Sequence, residues 1–216
     1  MEVNLLNYTP IEIADIAIGK CWDKPKEQCD FDRIERVANK NKHSSTIEHL
    51  YYNFEIKGVS RALLQELARH RIASPSVKST RYTLKELKES REPFITIEAR
   101  EVEGRFISME VITEYGRKFI VTTGNDFIDA ASASQLDKLR DLLNTYNIAN
   151  DKAKYMLPES YKTELVWSIN ARSLQNFLML RTSRAALWEI KNLANLVYSK
   201  LPEEHQFLFK RVINDS

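Results

Sequence analysis

The sequence predicts an α+β fold in which helices dominate, organised as a single domain over residues 1–216 with an antiparallel sheet and a small β elaboration near residues 93–123. Three observations carry this. Long segments place apolar residues at helical spacing behind capping signals, two short stretches alternate as strands, and three strand-like segments cluster around Gly104 and Gly116. A chain of 216 residues with 43% apolar and 29% charged side chains has the length and the composition to bury one core.

Taken in order, "EVNLLNY" predicts a first strand. "TPIEIADIAIGKCW" predicts a helix from Thr9 as cap, Pro10 in the first turn and Glu12 closing a capping box. A charged loop leads to "FDRIERVANKNK", helical with Ile34 and Val37 inward. "LYYNFEIKG" alternates as a strand ending at Gly58, and "SRALLQELARHR" is a helix burying Leu63, Leu64 and Leu67. A loop at 72–83 precedes the short charged helix "LKELKES". "FITIEA", "RFISMEVIT" and "RKFIVTT" predict a three-stranded antiparallel meander. From Ser134 the chain is helical to about Pro158. Helices then follow in "TELVWSINARSLQNFLMLR", in "AALWEIKNLANLVYSKL" and in a short last segment.

Composition narrows the functions. A net charge of +2 excludes general polyanion binding, so any anion site must be local. No apolar run reaches the length of a membrane span, and "MEVNLLNYTP" lacks a signal-peptide pattern, so a cytoplasmic protein with no membrane partner is expected. Cys21 and Cys29 are expected as reduced thiols, and His43, His49, His70 and His205 form no metal-ligand spacing, so no metal is expected. The five glycines make neither GxGxxG nor GxxxxGK[ST], which leaves side-chain cations to hold any phosphate.

Three segments concentrate polar chemistry. "ARHRIASPSVKSTRY" puts Arg69, His70 and Arg71 at a helix end, where cations meet the negative end of the macrodipole, and continues with Lys78, Ser79 and Arg81. That continuation fits either a phosphate site or a solvated cationic surface. "HSSTIEH" fits a helix start, with Ser45 as cap and Glu48 completing the box, flanked by His43 and His49. In "INARSLQNFLMLR", Asn170, Arg172, Asn176 and Arg181 interrupt an apolar helix on two opposite stripes, which predicts burial with partners on both sides.

In this order the three segments resemble the flavin-dependent thymidylate synthases. The family signature, RHR then seven residues then Ser, is matched by Arg69, His70, Arg71, "IASPSVK" and Ser79, with Arg81 and Tyr82 ending an S-x-R-Y pattern. "HSSTIEH" is similar to the family's H-x-[TS]-x-x-E-H, and "NARSLQNFLMLR" followed by "WEI" to its second motif. The resemblance covers residues 1 to about 90 and about 134 to the end, and leaves 93–123 unassigned.

The resemblance implies reductive methylation of dUMP to dTMP. Methylenetetrahydrofolate donates the carbon, FAD reduced by NADPH donates the hydride, and tetrahydrofolate leaves. It implies FAD contacts from Ser45, Glu48, Arg69, His70, Arg71, Asn170, Arg172 and Asn176. It implies dUMP contacts from Glu66, Ser79, Thr80, Arg81, Lys154 and Arg181. Arg181 is the expected catalytic residue, stabilising an anionic pyrimidine, with His43 in catalysis or in positioning flavin and folate. Ser79 is assigned to binding, because no base is at hand to activate it. A homotetramer with sites shared between subunits is implied as well.

Departures from the family pattern are Ser76 and Val77 in place of Asn and Glu, Lys154 in place of Arg, Glu66 in place of Gln and Ala185 in place of His. Two other readings stand beside this one. The first is a flavoprotein of the same fold without methyl transfer. The second is a nucleic-acid module stacking bases on Tyr8, Tyr51, Tyr52 and Tyr82, against which stand the small net charge and the lack of any nucleic-acid motif. No nucleic acid polymer is therefore expected as a partner.

Overall fold

In the computed structural model, which describes residues 1–23 and 28–213, the chain is mixed helix and sheet, as the sequence predicts. Part of the predicted charged loop, residues 24–27, lies outside the described residues. The elements are β1 (Glu2–Tyr8), α1 (Glu12–Cys21), α2 (Phe31–Glu35), β2 (Tyr51–Ser60), α3 (Arg61–Leu67), β3 (Ala73–Val77) and α4 (Thr80–Glu89). They continue with β4 (Ile95–Val102), β5 (Arg105–Ile112), α5 (Asp126–Tyr146), α6 (Asn150–Ala153), β6 (Lys162–Asn170), α7 (Ala171–Arg181) and α8 (Trp188–Ser199). The chain gathers into two compact units. One comprises Met1–Lys57, Gln65–Ser76 and Leu165–Ser216, the other Gly58–Leu64 and Val77–Glu164.

The first unit is built on a four-stranded sheet in the order β1-β2-β6-β3. β1 and β2 pair antiparallel from Glu2↔Lys57 to Tyr8↔Tyr52, with a register shift between Leu5 and Asn7. Period-two burial places Tyr52, Phe54 and Ile56 of β2 inward, and Leu165, Trp167 and Ile169 of β6 likewise. Helix α7 adds Leu174, Phe177 and Leu178, and α8 adds Ile190, Leu193, Ala194 and Val197. Trp167 joins the sheet to α7 in this core, its ring centroid 6.2 Å from Phe54 and 5.0 Å from Phe177. Beneath α1 the buried Arg33 pairs with the buried Asp15 at 2.7 Å, so neither charge is left uncompensated.

The second unit packs α4 and α5 with a hairpin. β4 and β5 pair without interruption from Ile95↔Ile112 to Val102↔Arg105, turning through Glu103 and Gly104, both at positive φ. Leu84, Leu87, Phe94, Leu136, Leu139 and Leu143 form its core. The Arg140 guanidinium lies 4.6 Å from the Phe94 ring centroid and donates to the Glu92 carbonyl at 2.7 Å.

Several expectations are corrected. No capping box forms at α1: the Thr9 hydroxyl accepts from the Tyr51 N–H at 3.1 Å, and the helix begins at Glu12. β2 runs on past Gly58 to Ser60. Of the three leucines in α3, Leu63 and Leu67 are buried and Leu64 is only half-buried. The predicted loop at 72–83 contains β3 and the start of α4. The third strand of the meander is absent. Tyr115 and Phe119 both pack on Phe94, at 5.6 and 5.1 Å, and that i,i+4 spacing needs the helical turn at Gly116–Lys118. Only Ile120 bridges, to Tyr161. Helix α5 starts at Asp126, ahead of Ser134, because the Asn125 side chain caps it by accepting from the Phe127 and Ile128 N–H groups. The predicted long helix at 163–181 is half strand. Residues 162–170 alternate in burial as β6, and α7 begins only where Asn170 caps it.

Candidate active site

The RHR residues follow α3 and do not form its last turn. The Arg69 N–H reaches the Glu66 carbonyl at 3.4 Å and the His70 N–H the Leu67 carbonyl at 3.1 Å, after which the chain extends into β3. In the same unit, the Asn170 side chain accepts from the Ser173 N–H at 2.8 Å, which fixes the start of α7. Asn170 is therefore a buried cap and not part of a helical stripe, while Arg172 and Arg181 remain on opposite sides of α7.

Arg69, His70, Arg71 and Ile72 line a cleft of about 580 Å³ with Glu48 and with Asn170, Arg172, Ser173 and Asn176 from the first turns of α7. Arg172 is ion-paired to Glu48 through Nη1 and Oε1. Three arginines against one carboxylate, beside the positive end of an 11-residue helix, make the cleft suited to an anionic group.

His70 connects this cleft to Arg181, the last residue of α7. Arg181 Nε lies 3.1 Å from His70 Nε2, and the ring stands edge-on to Phe177 at 5.0 Å. The guanidinium Nε–H must donate, so His70 Nε2 carries the lone pair and Nδ1 the proton. Burial, and next the Arg181 charge, push the His70 pKa down to about 4, with Glu66 opposing, so the ring is neutral near pH 7. Arg181 Nη1 donates to Glu66 Oε2 at 2.9 Å and Nη2 to the Glu66 carbonyl at 3.2 Å. Three of the five guanidinium N–H donors are so occupied, and two have no partner among the described residues and remain for a ligand. Glu66 Oε1 also lies 3.6 Å from Arg69 Nη1.

Other expected residues are not among those that line the cleft. His43 and Ser45 are exposed. Ser45 makes no capping box, since the short turn Ser44–Ile47 starts without a side-chain cap and Glu48 is engaged by Arg172. The His43 ring meets Trp22 edge-on at 6.4 Å. In the second unit, Ser79 precedes α4 with no capping bond from its side chain, and the Thr80 carbonyl accepts from the Thr83 hydroxyl at 3.2 Å. The Arg81 carbonyl accepts from Asn150 Nδ2 at 2.7 Å, while the Arg81 and Lys154 side chains are exposed.

Sequence reading did not mark Ile72 or Ser173, which carry no motif signal of their own. It also passed over a cleft of about 350 Å³ in the second unit, where Lys78, Lys118, Lys162, Glu86 and Glu164 meet Tyr115, Phe119 and Tyr161. Those residues are scattered along the chain, so no local pattern announces them. Among the described residues no group of three or more His, Cys, Asp or Glu is placed to hold a metal ion, and no helix is long and apolar enough to cross a membrane. Both cysteines are free, and burial, with Asp15 next, pushes the Cys29 thiol pKa up.

An α+β fold whose cleft sets arginines, amides and a neutral histidine around one space defines a class of protein equipped to hold a phosphorylated ligand by side chains, without a glycine loop. The sequence model of the family described as "Thymidylate synthase complementing protein" matches residues 4–205. The chain is 52% identical over 215 residues to the flavin-dependent thymidylate synthase of Helicobacter pylori, covering 97% of this chain and 98% of that protein. It is 49% identical over 219 residues to that of Campylobacter jejuni, covering 99% and 98%. A crystal structure of Thymidylate Synthase X from Helicobacter pylori with FAD and dUMP superposes with a TM-score of 0.86 at 49% identity, covering all of both chains. The chain belongs to the flavin-dependent thymidylate synthase family.

Proposed function

We propose that this protein methylates dUMP to dTMP, with methylenetetrahydrofolate as carbon donor, FAD as bound cofactor and NADPH as reductant, and releases tetrahydrofolate. The carrying observation is the cleft lined by Arg69, His70, Arg71, Glu48, Asn170, Arg172 and Asn176, in a chain that matches FAD- and dUMP-bound relatives end to end.

The donor set suits FAD. Arg69, Arg71 and Arg172 would hold the pyrophosphate, and His70 Nδ1–H and the amide of Asn176 would meet polar edges of the ring system. When bound and reduced, FAD supplies the hydride. The chain's own contribution is electrostatic. Arg181, held by Glu66 and His70, keeps two N–H donors with which to stabilise negative charge on the uracil. Ser79, Thr80, Arg81 and Lys154 would hold the rest of dUMP, Arg81 and Lys154 as its phosphate cations, while Glu66 acts through Arg181. His43 would position flavin and folate from the surface. A homotetramer that shares sites between subunits, working in the cytoplasm, completes the proposal.

The test is to incubate the protein anaerobically with dUMP, methylenetetrahydrofolate, NADPH and FAD, and to follow dTMP by mass spectrometry. dTMP formed only when FAD and NADPH are both present, with tetrahydrofolate as co-product, is the expected result. Bound flavin without dTMP would refute methyl transfer.

A further inference from the structure

The smaller cleft, in the second unit, includes none of the residues assigned above to dUMP or FAD. Its charged groups fall into two sets. Lys78 Nζ is held by Glu86 Oε1 at 3.4 Å and Glu164 Oε1 at 3.3 Å, so its charge is more than compensated by these two carboxylates. Lys162 is different. It is half-buried, its Nζ donates to the Arg117 carbonyl at 2.6 Å, and among the described residues no carboxylate pairs with it. Burial pushes the Lys162 pKa down, so its charge sits where water no longer fully supports it. Lys118, also without a carboxylate among the described residues, lies with its Nζ 5.1 Å from the Tyr115 ring centroid. Tyr115, Phe119 and Tyr161 give the cleft aromatic surface.

We infer that this cleft is a second binding site, for a small planar aromatic carboxylate that pairs with the Lys162 ammonium and lays its ring against Tyr115, Phe119 and Tyr161. Three lysines against two glutamates leave one net positive charge, which a monoanion neutralises. A phosphate dianion would exceed it and would meet Glu86 and Glu164. The volume of about 350 Å³ falls at the small end of ligand pockets, which suits a one- or two-ring compound.

Benzoate is the probe, with benzamide as its neutral counterpart and inorganic phosphate as the ring-free anion. Binding to the full chain is followed by ligand-observed NMR, with and without saturating dUMP and FAD. Benzoate should bind more tightly than benzamide or phosphate and should not be displaced by dUMP or FAD. Lys162→Met should weaken benzoate about tenfold or more, Lys118→Met less, and Lys138→Met on the exposed face of α5 not at all. Benzoate no tighter than benzamide, displacement by dUMP, or unchanged affinity in a folded Lys162→Met protein would each overturn the inference. The wild-type comparison of benzoate with benzamide stands even where that variant fails to fold.

Discussion

The Nε–H of Arg181 donates to Nε2 of His70 at 3.1 Å across 111 positions of sequence, and this one bond sets the tautomer of the histidine and the orientation of the guanidinium. Glu66 holds the other side of the same guanidinium through Oε2 at 2.9 Å. The His70 proton on Nδ1 and the two spare donors of Arg181 are consequences of this arrangement.

Arg181→Ala should abolish methyl transfer while FAD stays bound. Loss of a preorganised donor to a developing anion costs about 10²–10³-fold in kcat or more. Single-turnover dTMP formation, set beside the flavin absorbance of the purified variant, checks both halves. A variant that loses flavin as well would place Arg181 in cofactor binding.

Acidification should cost stability through His70. Its folded pKa is about 4, against about 6.5 unfolded, so between these values the unfolded chain binds the proton that the folded chain refuses. The contribution is therefore nil above about pH 6.5 and grows as pH falls towards about 4. After allowance for partial exposure of the ring, the loss between pH 7 and pH 5 is about 1 kcal/mol. Urea unfolding should show His70→Gln losing less stability than wild type over that interval; equal losses would contradict the buried neutral ring.

Tyr52 and His205 should behave as a coupled pair. The Tyr52 hydroxyl and His205 Nδ1 are 2.7 Å apart, both residues are fully buried, and His205 Nε2 has no partner among the described residues. Tyr52→Phe strands a second ring nitrogen and should cost about 1–3 kcal/mol. Tyr52→Phe with His205→Phe should cost clearly less than the sum of the single changes, as measured by a double-mutant cycle at pH 7. Additive losses would mean the bond contributes nothing.

Ser79→Ala should weaken dUMP binding yet leave measurable turnover at high dUMP. A neutral hydrogen bond is worth about 0.5–1.5 kcal/mol, or a factor of roughly 2 to 13 in affinity. KM for dUMP should rise with kcat nearly unchanged, and complete loss of kcat would show the hydroxyl taking part in chemistry.

The local pattern was sufficient where an element satisfies its own requirements. The alternation of "LYYNFEIKG" yields β2 with Tyr52, Phe54 and Ile56 inward, and "AALWEIKNLANLVYSKL" yields α8, because burial period and residue preference agree there. The RHR cations and the polar residues of "NARSLQN" were visible for the same reason. An arginine or asparagine beside apolar neighbours is legible without its partners.

Tertiary structure decided the rest. Leu165 and Ile169 are four apart and fit a helix, but Leu165, Trp167 and Ile169 are also two apart and fit a strand, and the neighbouring strands of the sheet make the choice. Thr9 was a plausible cap until the Tyr51 N–H claimed its hydroxyl, and Phe119 was a plausible strand residue until Phe94 claimed its ring. Glu66 could not be foreseen as the partner of Arg181, nor Lys162 as an ammonium without a carboxylate among the described residues, since each depends on residues distant in sequence. Sequence by itself determined which chemical groups this chain carries and the period at which they repeat. Packing alone decided which groups meet, because a hydrogen bond or an ion pair is a property of two positions and a sequence pattern describes only one neighbourhood at a time.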